Sequence, residues 1–144
     1  MQTVRELVRK KGGQIWSVSP ESSVYEALQL MADKNCGAVL VLDGSRLVGI
    51  LSERDYARQV ILKGKASKDT PVREIMTTRV VCVIPERTIE ECMVLMTDKR
   101  IRHLPVLEDG RLTGVLSIGD VVKAVISEKQ YLIEQLEGYI TSGG

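Results

Sequence analysis

The sequence predicts an α+β protein, a sandwich of the α/β type. It would hold two β-α-β-β-α repeats packed sheet to sheet about a pseudo-twofold axis. Three observations lead there. The chain aligns with itself without a gap at an offset of about 65 positions, and about 17 of the 43 paired residues are identical. Each copy announces a helix with the same hydroxyl-to-glutamate spacing, Ser23 to Glu26 and Thr88 to Glu91. Each copy also closes with the run Gly-x-x-Ser-x-x-Asp, at 49–55 and at 114–120.

The elements follow in order. Residues 15–18 and 80–84 are short apolar runs and read as opening strands. The two capping boxes start helices in which Val24, Ala27, Leu28 and Met31 share one face, as do Ile89, Cys92, Met93 and Met96. Residues 38–42 and 103–107 form a second strand. The turn signals Asp43-Gly44 and Asp109-Gly110 follow it, shifted by one position between copies. Residues 47–51 and 112–116 return as a third strand, and further helices begin near Glu53 and Ile118. The first two strands can pair in parallel through the helical crossover, and the last two form a hairpin. Pro105 inside a strand suggests an edge or a bulge. These signals place the first repeat, with an N-terminal helix, at 1–64. A charged Gly/Pro linker occupies 65–71, the second repeat 72–129, and an extended C-terminal helix and tail 130–144. Leu132, Ile133, Leu136, Tyr139 and Ile140 carry an apolar stripe past the end of the second repeat. A stripe with nothing of its own to cover predicts a partner.

Composition bounds the function. The 144 residues are 44% hydrophobic and 27% charged, enough to bury a core and too polar in every run to span a bilayer. Twenty basic and 19 acidic residues give a net charge of +1, which argues against nucleic acid as the partner. The N-terminus has no apolar run of the secretory kind, and Cys36, Cys82 and Cys92 show no pairing pattern. The sequence therefore predicts free thiols in the cytoplasm. With His103 the only histidine and no ligand spacing, no metal is expected. No P-loop, catalytic triad or paired acid and base is present, so the sequence predicts no enzyme activity.

The runs Gly49-Ile50-Leu51-Ser52-Glu53-Arg54-Asp55 and Gly114-Val115-Leu116-Ser117-Ile118-Gly119-Asp120 carry a resemblance. Val18-Ser19-Pro20, Val83-Ile84-Pro85 and Ile75-Met76-Thr77 carry it too. Over about residues 8–126 the chain resembles a pair of cystathionine-β-synthase (CBS) domains, the Bateman module, in its stand-alone bacterial form.

The resemblance implies a sensor. It would bind an adenosine-containing nucleotide (AMP, ADP, ATP, NAD or S-adenosylmethionine) in clefts between the repeats and signal to a partner by changing conformation. In the family pattern the motif aspartate takes the ribose hydroxyls and the serine contacts ribose or phosphate. That puts Asp120 and Ser117 in a main cleft, and Asp55 and Ser52 in a second. The adenine slot would be lined by Gly13 and Ile15 in the first case, and by Thr78 and Val80 in the second. Arg102 and His103 favour the Asp120 cleft as the phosphate site, while Arg54 serves the other. The resemblance also implies a homodimer, with the C-terminal helix as its seam.

The chemistry agrees with these roles. A vicinal diol offers two donors to a carboxylate, and a helix start suits phosphate. The same Ser-x-x-Asp spacing is also that of a plain helix cap, which needs no ligand. A ligand-free dimeric interaction module therefore stands as the alternative, with a nucleic-acid-binding protein behind it. The basic stretch Arg9-Lys10-Lys11 reads as a solvated face that can also reach a phosphate.

Overall fold

The computed structural model describes residues 2–143, with side chains through Glu137. The chain divides into two compact units. One is continuous, Gln14–Val81. The other joins Met1–Gly13 to Cys82–Gly144.

In the continuous unit β1 (Ser17–Val18) runs parallel to β2 (Ala38–Asp43), which pairs antiparallel with β3 (Arg46–Ser52). Helix α2 (Val24–Lys34) crosses over between β1 and β2, and α3 (Glu53–Tyr56) continues into a π-helical turn, Ala57–Ile61. Val24, Ala27 and Met31 of α2 meet Val39 and Val41 of β2, Leu51 of β3 and Val60 in one buried cluster. This is the face that the helical spacing predicts. Val72 and Ile75, from the segment after the repeat, complete the same cluster.

The other unit repeats the plan with α4 (Ile89–Lys99), β4 (His103–Glu108), β5 (Arg111–Ser117) and the long α5 (Ile118–Gly143). Its buried side chains include Ile89, Cys92 and Met96 of α4, Leu104 and Val106 of β4, Leu116, and Val121 of α5. Val4 and Leu7 of α1 (Val4–Lys11) are buried in this unit as well.

In their packing the entering segments are exchanged between the repeats. The N-terminal helix packs with the second repeat, and residues 65–81 pack with the first. The cause is a matched set of backbone bonds. Val4 N–H donates to Arg87 O (2.8 Å), Arg5 N–H to Pro85 O (3.0 Å) and Ile89 N–H to Gln2 O (3.0 Å). In the continuous unit Val72 N–H donates to Ser22 O (2.7 Å), Arg73 N–H to Pro20 O (3.0 Å) and Val24 N–H to Thr70 O (2.8 Å). Each entering segment thus supplies partners to the first residues of a helix and the turn before it, groups that a helix cannot satisfy itself. An ion pair accompanies each set: Arg5 with Glu86 (2.9 Å), and Arg73 with Glu21.

The opening strands are shorter than expected. β1 is two residues long, and residues 80–84 make only one parallel bridge, Val83 to Val106. Pro105 accounts for the second loss. Leu40 N–H donates to Trp16 O (3.0 Å) in one unit, whereas the equivalent Pro105 has no N–H to offer Val81. The ladder there includes Val83 N–H to Pro105 O and Leu107 N–H to Val83 O. A register shift follows Pro105 between Val106 and Leu107, but its counterpart between Val41 and Leu42 shows that proline is not its cause.

The hairpin turns occupy equivalent positions, Gly44-Ser45 and Asp109-Gly110. What moves by one place is the glycine. Gly44 takes positive φ at the first turn position, whereas Asp109 and Gly110 both do in the other copy. The expected caps form on both helices: Ser23 and Thr88 accept the N–H of Glu26 and Glu91 (3.1 Å each). The Glu91 carboxylate is held by Arg87 at 2.9 Å and by the Thr88 hydroxyl at 3.3 Å, and with the Thr88 backbone bond these keep its carboxyl below the usual value.

Among the described residues no helix is long and apolar enough to cross a membrane. The three cysteines are free thiols, as expected. Burial pushes the Cys92 thiol up to about 11, with the Glu91 charge adding to it, and burial raises Cys82 too. Both line a groove of about 320 Å³ beside the start of α4.

Gly49 tests the docking of the segment that follows the first repeat. A Cβ there would stand 2.6 Å from Met76 Sδ and 3.1 Å from the carbonyl oxygen of Thr77. Gly49→Ala should therefore lower stability by about 1–3 kcal/mol, read from the urea midpoint.

Candidate functional site

Each Ser-x-x-Asp run lies where a hairpin's second strand turns into a helix. At the end of β3, Asp55 Oδ2 accepts the Ser52 N–H (2.9 Å) and the Ser52 hydroxyl (3.0 Å), while Ser52 Oγ accepts the Asp55 N–H (3.2 Å). At the end of β5, Asp120 Oδ2 accepts the Ser117 N–H (2.8 Å), and Ser117 Oγ accepts the Asp120 N–H (3.1 Å). The reciprocal capping box thus forms at these two places, because the short aspartate folds back onto the cap. It occupies one oxygen of each carboxylate.

The glycine of each run has a separate task. It lets the entering segment lie against the strand. Gly49 faces Met76 and Thr77, and Gly114 faces Val8 of α1 at 3.0 Å from where a Cβ would be. The entering segments then reach the carboxylates, and here the two units part company.

In the continuous unit Thr77 pairs through its backbone with Ile50, N–H to O in both directions (2.9 and 3.0 Å). Its hydroxyl donates a long bond to Asp55 Oδ1 (3.3 Å). In the other unit Lys11 takes this place. Its ammonium donates to Val115 O (2.7 Å), the counterpart of Ile50 O, and to Asp120 Oδ2 (2.6 Å). Asp120 Oδ1 accepts no hydrogen bond among the described residues. Burial raises the Asp120 carboxyl, but the Lys11 bond, the Ser117 bonds and the Lys11 charge outweigh it and hold it below the usual carboxylate value.

His103 belongs to the same cluster. It sits at the start of β4 opposite Ser117. Burial and the Lys11 charge lower its pKa, Asp120 opposes that, and Arg102 adds to it. Arg102 is exposed, and its carbonyl accepts the first N–H of α5, from Ile118 (2.8 Å).

The structure therefore gathers Asp120, Ser117, His103 and Arg102 in one unit. Gly13 is in that unit too, with the Thr113 carbonyl 3.6 Å from where its Cβ would be. Ile15 falls in the continuous unit, two residues past the boundary. Asp55, Ser52, Arg54, Thr78 and Val80 all belong to the continuous unit. Arg54 and Thr78 are exposed, Val80 is half-buried, and Thr77 rather than Thr78 supplies the hydroxyl to Asp55. The residue that sequence reasoning undervalued is Lys11. Its signal was positional, since its segment precedes the first repeat just as Ile75-Met76-Thr77 precedes the second.

Two units, each with a helix, a β-hairpin and a second helix, and with capped aspartates at equivalent helix starts, define a tandem-repeat α+β module. The family model of the CBS domain matches residues 4–61 and 72–127, and the chain belongs to the CBS domain family as a tandem pair. It is 38% identical over 151 residues to the mitochondrial CBS domain-containing protein CBSX3 of Arabidopsis thaliana, covering 98% of this chain and 73% of that one. A solved structure of a candidate signal-transduction protein with CBS domains from Burkholderia ambifaria is 49% identical, with a TM-score of 0.85 over 88% of this chain and 95% of that one. More distant is the hexameric CBS-CP12 protein from bloom-forming cyanobacteria, 27% identical with a TM-score of 0.74 over 83% of this chain and 66% of that one.

His103 gives a direct test of the cluster. Its folded pKa lies below the ordinary 6.5, so the unfolded chain binds the proton more readily. Stability should fall as pH drops from about 6.5 toward the folded value. His103 is the only histidine, so His103→Gln should flatten the urea midpoint between pH 7 and pH 5. An unchanged slope would mean that His103 is not held neutral.

Proposed function

We propose that this CBS pair is a regulatory sensor that binds an adenosine-containing nucleotide (AMP, ADP, ATP or NAD) and passes its occupancy to a partner. One observation supports it most. Asp120 keeps an oxygen free of hydrogen bonds among the described residues, while Lys11 donates to its other oxygen and His103 lies near enough to feel its charge. A carboxylate acceptor for a diol beside cationic donors for phosphate is the chemistry a nucleoside phosphate asks for. Asp120, Ser117, Arg102 and His103 would form the main site, with Gly13 toward the base. Asp55, Ser52, Arg54, Thr78 and Val80 would form the second. The description of the Burkholderia relative supports a signalling rather than a catalytic role. A ligand shifts such a protein only through its different affinities for two conformations.

A second reading has its own observation. Both aspartates cap helices, which accounts for them without any ligand. The protein would then be an interaction module. Titration calorimetry of nucleotide-stripped protein with AMP, ADP, ATP and NAD separates the two. The sensor reading expects heat that Asp120→Ala largely removes, leaving only the weaker signal of the Asp55 site, and that Asp55→Ala largely leaves. No heat with any of the four would leave the capping role standing.

The same reading makes the protein a homodimer through α5. Ile126, Leu132, Ile133 and Leu136 of that helix are all about half exposed or more. The side chains of Tyr139 and Ile140, expected to extend the stripe, lie outside the described residues. A second copy is the occupant that this stripe fits, and the hexameric cyanobacterial relative supports assembly between copies. Leu132→Glu with Leu136→Glu should give a monomer in sedimentation velocity while the thermal midpoint of each protomer's fold persists. A dimer that survives both changes would place its seam elsewhere.

A further inference from the structure

The two motif aspartates are held differently, and the difference predicts different ligands. Among the described residues Asp55 has no cation on it, and its Oδ1 accepts only the Thr77 hydroxyl, at 3.3 Å. A ribose diol would exchange one long neutral bond for two neutral donors. Asp120 carries the Lys11 ammonium at 2.6 Å, and Lys11 also fills Val115 O. The pair is only partly open to water, with side-chain exposures of 36% and 24%. A diol that takes both Asp120 oxygens must displace or crowd a charged donor with uncharged ones. That exchange is unfavourable unless the displaced ammonium finds another anion within reach.

We propose that Lys11 is a specificity-determining residue: its ion pair to Asp120 closes that site to uncharged nucleosides and opens it to ligands carrying a phosphate beside the diol. The phosphate takes over the ammonium as the ribose takes over the carboxylate, so the anion is a condition of entry. The Asp55 site, without such a plug, accepts the nucleoside whether or not it is phosphorylated. This rests on the nucleotide reading above and gives each site its own ligand class.

The test compares adenosine with AMP by calorimetry on the full chain. Asp55→Ala leaves the Asp120 site, and Asp120→Ala leaves the other. The Asp55→Ala protein should bind AMP at least about tenfold more tightly than adenosine. Adding Lys11→Met should reduce that preference to less than about threefold, with AMP weakening and adenosine strengthening. Lys11→Arg keeps the charge and should keep the preference. The Asp120→Ala protein should bind both ligands with similar affinity. Thermal melts confirm that each variant is folded. An AMP preference of the same size with and without Lys11 would overturn the proposal and leave the nucleotide reading intact. No binding of either ligand to the wild-type chain would overturn both.

Discussion

Everything in this fold depends on the docking of an entering segment onto the first turn of a helix. Residues 2–5 give and receive backbone bonds with 85–89, and residues 70–73 do the same with 20–24. A repeat of about 60 residues exposes too much of its core to stand comfortably alone. The entering segment mends this by burying Val4 and Leu7 in one unit, and Val72 and Ile75 in the other. It also satisfies the N–H groups that begin α2 and α4. Without it, those donors and the apolar faces beneath them would meet water together.

The same docking builds the site. A segment that enters over Gly49 or Gly114 must pass the head of the next helix, and so passes the aspartate. What it carries there decides the chemistry. The segment that ends in Thr77 satisfies Ile50 with its own backbone and has only a hydroxyl for Asp55. α1 ends in Lys11, which satisfies Val115 with an ammonium and puts a charge on Asp120. Two copies of one motif thus acquire unlike electrostatics from residues that lie outside the motif.

This explains what was legible in the sequence. The repeat, both hairpins, the apolar faces of α2 and α4 and the Ser-x-x-Asp positions follow from side-chain patterns, and side-chain patterns are what a sequence displays. The exchange of entering segments rests on backbone bonds, to which any residue can contribute, so no spacing announces it. The two entering segments also align at an offset of about 68, not the 65 of the repeats, so self-comparison does not pair Val8 with Met76. The missing strand at 80–84 was legible in principle. Pro105 was read as a sign of an edge or bulge, but its lost donor acts on the neighbouring strand. Lys11 looked like one cation in a solvated run because its partner is over a hundred residues away.

The division of the chain also orders its assembly in time. The Gln14–Val81 unit is one unbroken stretch, so it can make every one of its contacts before residue 82 is joined to the chain. The other unit cannot. Its first thirteen residues are made early and must wait for the 85–89 segment that α1 docks on. At typical synthesis rates that interval is about 4–15 s. Throughout it, Val4 and Leu7 are an unclaimed apolar pair while the Gln14–Val81 unit is being made and folded. The first helix of this protein is thus among the last parts to find its place.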